Sequence, residues 1–469
     1  MTIARDFVEW AWTLDQSTIP TGILDRTALH ILDGLGTALA ASRMNAAPFA
    51  VPTAASMGHA DESSVIGSCR RFGAAGAALA NGILIHSLDF DDTHPAGLVH
   101  ATAVTLPAAL AVAEREYASG ADLLRAVLVG DELLGRISSA APHGFHARGF
   151  HASSVCGVFA SSLIASLLSG SSKDQAVNAL GIAASQASGS MEFLATGVST
   201  KQIHPGWASM AGVMSSALAV HGGSGPDTVF EGERGLYRLF SAVPADLAGI
   251  TAGLGDSWQI ADIEVKPYPA CHLMHRNLDI AAQLHARLNP AEIDFVVVGV
   301  PPESIPIVAE PSHTKVAPRS AYEAKFSVQW SVAAMLLDGH IDVDSYRSDR
   351  ISRPDIGELS SRVRINPVAG DGPAALQPGD VTIGLADGTL VRLRSDDPGS
   401  AETALSMHDM VIAKFRANVG APEETTDALV SAVMGLTQAS DLRALRAALT
   451  DVAEHWELVP VPPVTEYQS

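Results

Sequence analysis

Cysteine and basic charge are both scarce in this chain of 469 residues. The three cysteines, Cys69, Cys156 and Cys271, lie far apart and form no C-x-x-C pair. Their spacing argues against a thiolate zinc site and fits a reducing compartment. Thirty basic residues stand against 51 acidic ones, which gives a net charge of −21. We therefore expect neither nucleic acid nor an anionic membrane surface as a partner.

Long apolar runs of the kind that cross a membrane are also missing. Residues 152–169 come closest, but six serines and flanking polar turns favour a buried core helix there. The opening residues MTIARDFVEWAWTL lack a basic start followed by an apolar stretch, so we expect no signal peptide. The prediction is a soluble, cytoplasmic protein without a membrane partner.

Up to about residue 245 the chain has a helical pattern. Apolar segments rich in small residues are separated by Gly, Pro or Ser, and strand-like alternation is almost absent. The pattern predicts helices over 5–17, 24–41, 74–92, 104–118, 121–140, 152–169, 173–187 and 206–221, with Pro205 at the start of the last one. One short strand is expected at 64–66.

The pattern changes between about 255 and 400. Apolar runs predict strands at 293–301, 361–367 and 380–385, and an Asp-Gly pair within 381–394 predicts a hairpin. Helices are expected near 272–288 and 322–338, and again at 405–417, 423–436 and 439–449 before a proline-rich tail. A chain of this length exceeds one compact core. The predicted fold class is therefore mainly α: a large all-helical domain (1–262 with 402–460, the later helices packing back onto it) and a smaller α+β lid domain (263–401).

Residues 74–105 are the most unusual stretch, because a run of small apolar residues without Lys or Arg leads into acids and histidines. A helix that is apolar nearly all round is normally buried. Spacings of three and four place four residues on one face of that helix: Gly82, His86, Asp89 and Thr93. Acids at the end of a buried helix need compensation, so we expect Asp89 to take part in the chemistry.

Asp91 and Asp92 receive a different interpretation. They precede Pro95 and Gly97, and turns favour Asp for its local hydrogen bonds. We expect these two carboxylates to lie in a solvated turn.

Four further short stretches place ionisable side chains beside helix starts: His100, His151, Lys201 and Lys266. Unpaired N–H groups and the helix dipole make such starts favourable for a carboxylate or phosphate. Lysine is rare in this chain, with six residues, so Lys201 and Lys266 in Gly/Pro/aromatic surroundings are conspicuous. For a single histidine or lysine, packing or surface exposure is the ordinary alternative. Several such starts around one cavity would bind a small polyanion.

Seven runs, in this order, resemble the MmgE/PrpD family: NGILIHSLDFDDTH, GFHASSVCGVFASSLIASLL, ALGIAASQASG, TKQIHPGWASMAG, KPYPACHLMH, EAKFSVQWSVAAMLLDG and KFRAN. The family includes 2-methylcitrate dehydratases, cis-aconitate decarboxylases and iminodisuccinate epimerases. The resemblance implies a helical domain with an α+β lid, a homodimer and catalysis without a cofactor. It also implies a lyase acting on a small di- or tricarboxylate, such as 2-methylcitrate or an aconitate-like acid.

The resemblance further implies a set of site residues. The catalytic candidates are His100, Asp89, His151 and Lys201, and the candidates for substrate binding are Thr93, Lys266, His275, Cys271 and Trp330, with no metal ligands. Three positions depart from the family pattern: Ala152, Cys271 and Trp330. Decarboxylase members have a histidine and a tyrosine at the last two positions, which weighs against cis-aconitate decarboxylation in particular.

The family reactions share one physical requirement, since each moves a proton or develops carbanion character at a carbon next to a carboxylate. Preorganised cations must meet the developing charge, so Lys201 and Lys266 would hold the substrate carboxylates. His100 or His151 would transfer the proton, and His100 is preferred, with Asp89 orienting it or adjusting its pKa. Thr93 would hydrogen-bond the substrate or its leaving hydroxyl.

Three alternatives remain open from the sequence. The same pocket would suit an epimerase of an iminodisuccinate-like dicarboxylate. The second alternative is a non-catalytic protein that binds carboxylates or serves as a scaffold. The third is the Mg²⁺-diphosphate chemistry of isoprenoid synthases, which would need a second acidic metal motif that the sequence lacks.

Overall fold

A computed structural model describes residues 2–58, 60–196, 198–371, 374, 377–396 and 406–458. The described chain is mainly helical, as predicted. Its longer helices are Ile3–Thr13, Thr21–Arg43, Ala74–His86, Thr102–Arg115, Gly120–Ser139, Ala152–Leu168, Lys173–Ala183, Thr200–Val220, His275–His285, Val328–Asp338, Met407–Val419, Glu423–Met434 and Arg443–Leu458. The proline-rich tail lies outside the described residues.

Two glycines bring the helices that frame the site into backbone contact. A Cβ atom added to Gly82 in Ala74–His86 would lie 2.5 Å from the Cα of Gly206 in Thr200–Val220. The second helix begins at Thr200, so Pro205 lies inside it rather than at its start. Only glycines allow this approach, which places the first turn of the second helix beside the residues that follow the first helix.

Four strands form a mixed sheet in the order Val363–Pro367, Ile293–Val300, Asp380–Leu385, Leu390–Arg394. Ile293–Val300 pairs in parallel with Val363–Pro367 and antiparallel with Asp380–Leu385. Asp380–Leu385 pairs antiparallel with Leu390–Arg394. These bounds agree with the predicted strands and hairpin. The predicted 322–338 helix is divided into Ala321–Lys325 and Val328–Asp338, and the short early strand is Ser63–Ser64, paired with Arg71–Phe72.

Buried apolar side chains form three clusters. One contains Val411 and Phe415 of the C-terminal helices together with Leu35 of Thr21–Arg43, so these later helices do pack against the N-terminal ones. Another lies among the N-terminal helices. The third lies between the sheet and the helices beside it. The exact domain boundaries and the role of the α+β part as a lid stay predictions.

The Ala152–Leu168 helix is buried over most of its length, in agreement with the prediction of a core helix. Among the described residues, no helix combines the length and apolar character needed to span a bilayer.

Candidate functional site

The Ala74–His86 helix ends before the acidic stretch. Asp89 has a φ of 53° and therefore lies outside the helix. The predicted shared helix face is wrong for Asp89, because the chain changes direction after His86. A non-glycine residue in the left-handed region is uncommon and costs energy, although Asp tolerates it better than most. Such residues cluster at functional sites.

Asp91 and Asp92 are fully buried, so the prediction of a solvated turn is wrong. Oδ2 of Asp91 lies 2.8 Å from Nδ1 of His86, and Oδ2 of Asp92 lies 2.7 Å from Nδ1 of His30. Asp92 also accepts the backbone N–H of Thr102 at 3.0 Å. The partner of Asp91 is the last residue of the preceding helix, whereas the partners of Asp92 lie on two other helices. Turn chemistry read from the sequence carries no information about the partners of Asp92.

Two lysines compensate Asp89. Nζ of Lys201 lies 2.5 Å from Oδ1 of Asp89, and Nζ of Lys266 lies 3.4 Å from Oδ2 and donates to the backbone carbonyl at 2.9 Å. Burial would raise the pKa of Asp89, but the two ammonium groups outweigh it and hold that pKa below its ordinary value. Burial would lower the pKa of Lys201, but Asp89 outweighs it and the net shift is upward. Two cations against one carboxylate leave a positive charge for a bound anion.

Sequence reasoning missed two more lysines that hold the same turn. Lys325 donates to the carbonyl of Leu88 at 2.6 Å, and Lys414 donates to the carbonyl of Phe90 at 2.7 Å. Burial lowers the pKa of Lys325 to about 7. Lysine is rare in this chain, and both residues stand in largely apolar runs of the sequence. This combination is the sequence signal by which the two lysines could have been found. Four of the six lysines thus bind the 88–90 turn.

Hydrogen bonding determines which nitrogen of His100 is free. Its Nδ1 lies 3.0 Å from the carbonyl of Asp92, which can only accept, so Nδ1 carries the hydrogen and Nε2 keeps its lone pair. Oδ2 of Asp91 lies 3.4 Å from the same Nδ1, and Oγ1 of Thr93 lies 3.5 Å away. The expectation that Asp89 orients His100 is therefore wrong: Asp92 and Asp91 orient the ring.

His100 and His151 are neutral at pH 7. Burial, followed by the charge of Lys266, lowers the pKa of His100 well below its ordinary value. Burial and the charge of Lys201 do the same for His151, whose Nδ1 lies 3.2 Å from Nδ1 of His204. A neutral imidazole with a free lone pair accepts a proton.

These groups line a cavity of about 130 Å³. That space admits a small molecule such as a carboxylic acid. Seven of the predicted site residues line it: Asp89, Thr93, His100, His151, Lys201, Lys266 and Cys271.

Much of the remaining wall was not predicted. Two further histidines and seven apolar residues line the cavity: His146, His272, Leu98, Met191, Phe193, Leu194, Leu273, Ile307 and Phe326. Apolar side chains carry no chemical signal in a sequence, and only the packing of distant segments places them here. The lining of the cavity therefore combines charged and apolar side chains.

His275 and Trp330 do not line this cavity, so their predicted contact with substrate is not supported by the geometry. Nε2 of His275 donates to the carbonyl of Ala270 at 3.0 Å, and the ring faces a neighbouring cavity. Trp330 is 1% exposed; its Nε1 donates to the carbonyl of Ile351 at 3.2 Å, and its ring packs against Tyr346.

The arrangement suits chemistry at an acidic carbon. Ammonium groups fixed in a buried site stabilise negative charge that develops on substrate carboxylates. A neutral imidazole and a hydroxyl beside them can move a proton and hold a polar group. The site can therefore bind a small polycarboxylate and transfer a proton next to one of its carboxylates.

Comparisons with known proteins identify the family of this chain. The MmgE/PrpD N-terminal domain matches residues 5–246, and the MmgE/PrpD C-terminal domain matches residues 268–436. The chain is 33% identical to the cis-aconitate decarboxylase of Homo sapiens over 392 residues, which cover 80% of this chain and 79% of the relative. It is 26% identical to the cis-aconitate decarboxylase of Aspergillus terreus over 474 residues, 94% and 95% of the two chains. The chain belongs to the MmgE/PrpD family.

Proposed function

We propose that this protein is a lyase that acts on cis-aconitate or a closely similar polycarboxylate. One observation carries the proposal: the ammonium groups of Lys201 and Lys266 line the same small cavity as His100, whose Nε2 keeps a free lone pair. The names of the relatives, which are cis-aconitate decarboxylases, make decarboxylation the first reaction to test.

In a decarboxylation the bond between carbon and one carboxylate breaks and CO₂ leaves. The electron pair delocalises through the adjacent double bond toward a remaining carboxylate, where Lys201 and Lys266 stabilise it. The carbon next to that remaining carboxylate then takes a proton, and the double bond shifts toward the carbon that lost CO₂. His100 in its protonated form would supply this proton. Thr93 holds a substrate oxygen beside the imidazole.

Cys271 favours dehydration as a second candidate. This thiol lines the cavity, and the resemblance found in the sequence implies a histidine at this position in decarboxylase members of the family. In a dehydration of 2-methylcitrate, neutral His100 would remove the proton next to a carboxylate. The hydroxyl group on the adjacent carbon would then take a proton from the resulting imidazolium and leave as water, which returns His100 to its neutral form. Epimerisation of iminodisuccinate would use the same neutral imidazole to remove a proton and return it on the other face.

The α+β part supplies one side of the cavity through Cys271, Leu273 and Phe326. We propose that residues 263–401 act as a lid over the helical domain, and that catalysis needs no cofactor because lysine and histidine already supply charge stabilisation and proton transfer.

A homodimer is also proposed. The Thr200–Val220 helix exposes large apolar side chains along its length, with Trp207 at 43%, Met214 at 43% and Leu218 at 49% exposure. Apolar residues grouped on one helix at this exposure are typical of an interface, and the same helix carries Lys201. A second copy on this face would cover them.

The deciding experiment incubates the protein in D₂O with cis-aconitate, 2-methylcitrate and iminodisuccinate, each followed by NMR. Loss of CO₂ with deuterium in the product supports the decarboxylase, loss of water supports the dehydratase, and exchange at the acidic carbon without either supports the epimerase. Turnover that persists in chelator dismisses the Mg²⁺-dependent alternative. Tight binding of cis-aconitate with no turnover of any of the three would overturn the proposal in favour of a non-catalytic binding protein.

A further inference from the structure

Three imidazoles surround one point beside the cavity. The ring centroids of His86 and His100 lie 4.5 Å apart, and that of His151 lies 5.7 Å and 5.9 Å from the first two. All three side chains are buried, and one ring nitrogen from each lies within 4.8 Å of the others. The proposed reaction uses His100 and leaves the convergence of the other two rings unexplained.

The hydrogen bonds of His86 leave one nitrogen free. A carboxylate only accepts, so the 2.8 Å contact of His86 Nδ1 with Asp91 places the hydrogen on Nδ1. In the neutral ring Nε2 of His86 then carries a lone pair, and in the described part of the chain this buried atom has no hydrogen-bond partner. A buried nitrogen without a partner is costly, and a ligand would remove that cost.

His151 is held by two hydrogen-bond contacts. Oγ of Ser153 accepts the backbone N–H of His100 at 3.0 Å and lies 3.2 Å from Nε2 of His151, while Nδ1 of His151 lies 3.2 Å from Nδ1 of His204. When the hydroxyl of Ser153 donates to Nε2, this ring has the same tautomer as the neutral forms of His86 and His100, with the hydrogen on Nδ1. A lone pair on Nε2 is the form in which histidine binds transition metals, and at His151 the metal would replace the hydrogen bond from Ser153.

We propose that His86, His100 and His151 form a binding site for a divalent transition metal such as Zn²⁺ or Co²⁺, and that the bound metal inhibits the enzyme. Three histidines with a fourth, open position form a known type of zinc site. Zn–N distances of about 2.0–2.1 Å set the ligand nitrogens about 3.4 Å apart in a tetrahedron, so the rings close slightly around the ion.

The surroundings of the three rings also fit a metal. Asp91 accepts from His86 on the side away from the free nitrogen, which is the carboxylate–histidine pair that orients metal ligands in proteins. Lys201 and Lys266 oppose a dication, but Asp89 is bound to both and offsets part of their charge. Asp92 adds a further buried carboxylate. Soft or borderline metals that favour imidazole are therefore expected to bind, whereas Mg²⁺ is not.

Metal binding follows from the imidazoles alone, whereas inhibition rests on the proposed function, because the metal would take the lone pair with which His100 exchanges a proton.

Co²⁺ is the best probe, since tetrahedral Co²⁺ absorbs visible light and Zn²⁺ does not. Titration of the tag-free full chain with Co²⁺, in a buffer without imidazole or substrate, should give saturable visible bands at one ion per chain. Zn²⁺ should bleach them.

Two variants and one control make the titration specific. His86→Gln and His151→Gln should each weaken Co²⁺ binding at least about tenfold, while His146→Gln should retain the bands, because His146 lines the cavity outside the trio. Circular dichroism confirms that each variant is folded. Absence of the bands in the unmodified protein, or their persistence in both trio variants, would overturn the site.

Inhibition is measured separately. Free Zn²⁺ is set with a metal buffer because polycarboxylates bind metals themselves, and turnover should fall as Zn²⁺ saturates the site and return on addition of EDTA. Cobalt bands with no turnover of any substrate would reject the proposed function and keep the metal site. Normal turnover at saturating Zn²⁺ would reject inhibition.

Discussion

The ammonium group of Lys201 lies 2.5 Å from the carboxylate of Asp89, although 112 residues separate them in the sequence. The contact depends on the close approach of two helices at Gly82 and Gly206. It joins the turn after the Ala74–His86 helix to the first turn of the Thr200–Val220 helix. This pair and Lys266 form the charged part of the cavity lining.

Lys201→Ala and His100→Ala should each reduce turnover at least about a hundredfold, because the first removes charge stabilisation and the second removes the proton-transfer group. Steady-state kinetics with the active substrate measures both. Lys173→Ala is the matched control, since Lys173 is an exposed lysine paired with Glu9 on the surface. Near-normal turnover in both site variants would contradict the assignment.

Asp89→Asn should destabilise the protein by about 3–5 kcal/mol at pH 7, because it leaves two buried ammonium groups without their partner. The pKa of folded Asp89 is lowered, so its contribution is complete above the unfolded pKa of about 3.9 and is lost as the pH falls through the folded value. Urea unfolding at pH 7 and at about pH 3 tests this. The gap between the unmodified protein and the variant should be narrower in acid; a constant gap would show that Asp89 does not carry the effect.

The pH dependence of turnover should identify the role of His100. Its pKa lies well below the ordinary value of 6.5. If the reaction is decarboxylation with protonated His100 as the donor, kcat/KM should increase as the pH is lowered toward a midpoint below 6.5. For dehydration or epimerisation, which need the neutral ring, kcat/KM should instead fall as the pH drops through that midpoint. A profile that is flat below pH 6.5 would contradict both roles.

Gly82→Ala should cost about 1–3 kcal/mol of stability through overpacking, and it should lower activity because the added methyl group meets the backbone of Gly206 at 2.5 Å. Denaturant unfolding and turnover are the two measurements. Gly22→Ala is the control, because a Cβ added at Gly22 meets nothing within 4 Å. Equal stability of the two variants would show that the helices can separate at little cost.

Trp207→Glu combined with Leu218→Glu should convert the proposed homodimer to a monomer, since two charges would have to be buried in the interface. Size-exclusion chromatography with light scattering measures the mass. Tyr117→Glu serves as the control, because Tyr117 is 87% exposed and lies away from this helix. A monomeric unmodified protein would contradict the proposal directly.

The sequence by itself determined the local features of this protein. Its periodicity predicted most of the helices, and the strand at Asp380–Leu385 matches its predicted bounds. Seven motifs in order identified the family and, with it, seven residues of one cavity. These features are readable because helix and strand periods and short motifs are properties of neighbouring residues.

Only the tertiary structure decided how the acids and lysines are paired. It placed Asp89 outside the helix, buried Asp91 and Asp92 against His86 and His30, and brought Lys325 to the same turn from 237 residues away. It also turned His275 and Trp330 away from the cavity. The physical reason is that a buried charge takes its partner from whichever helices pack beside it, and that choice depends on close backbone contacts between segments distant in the chain.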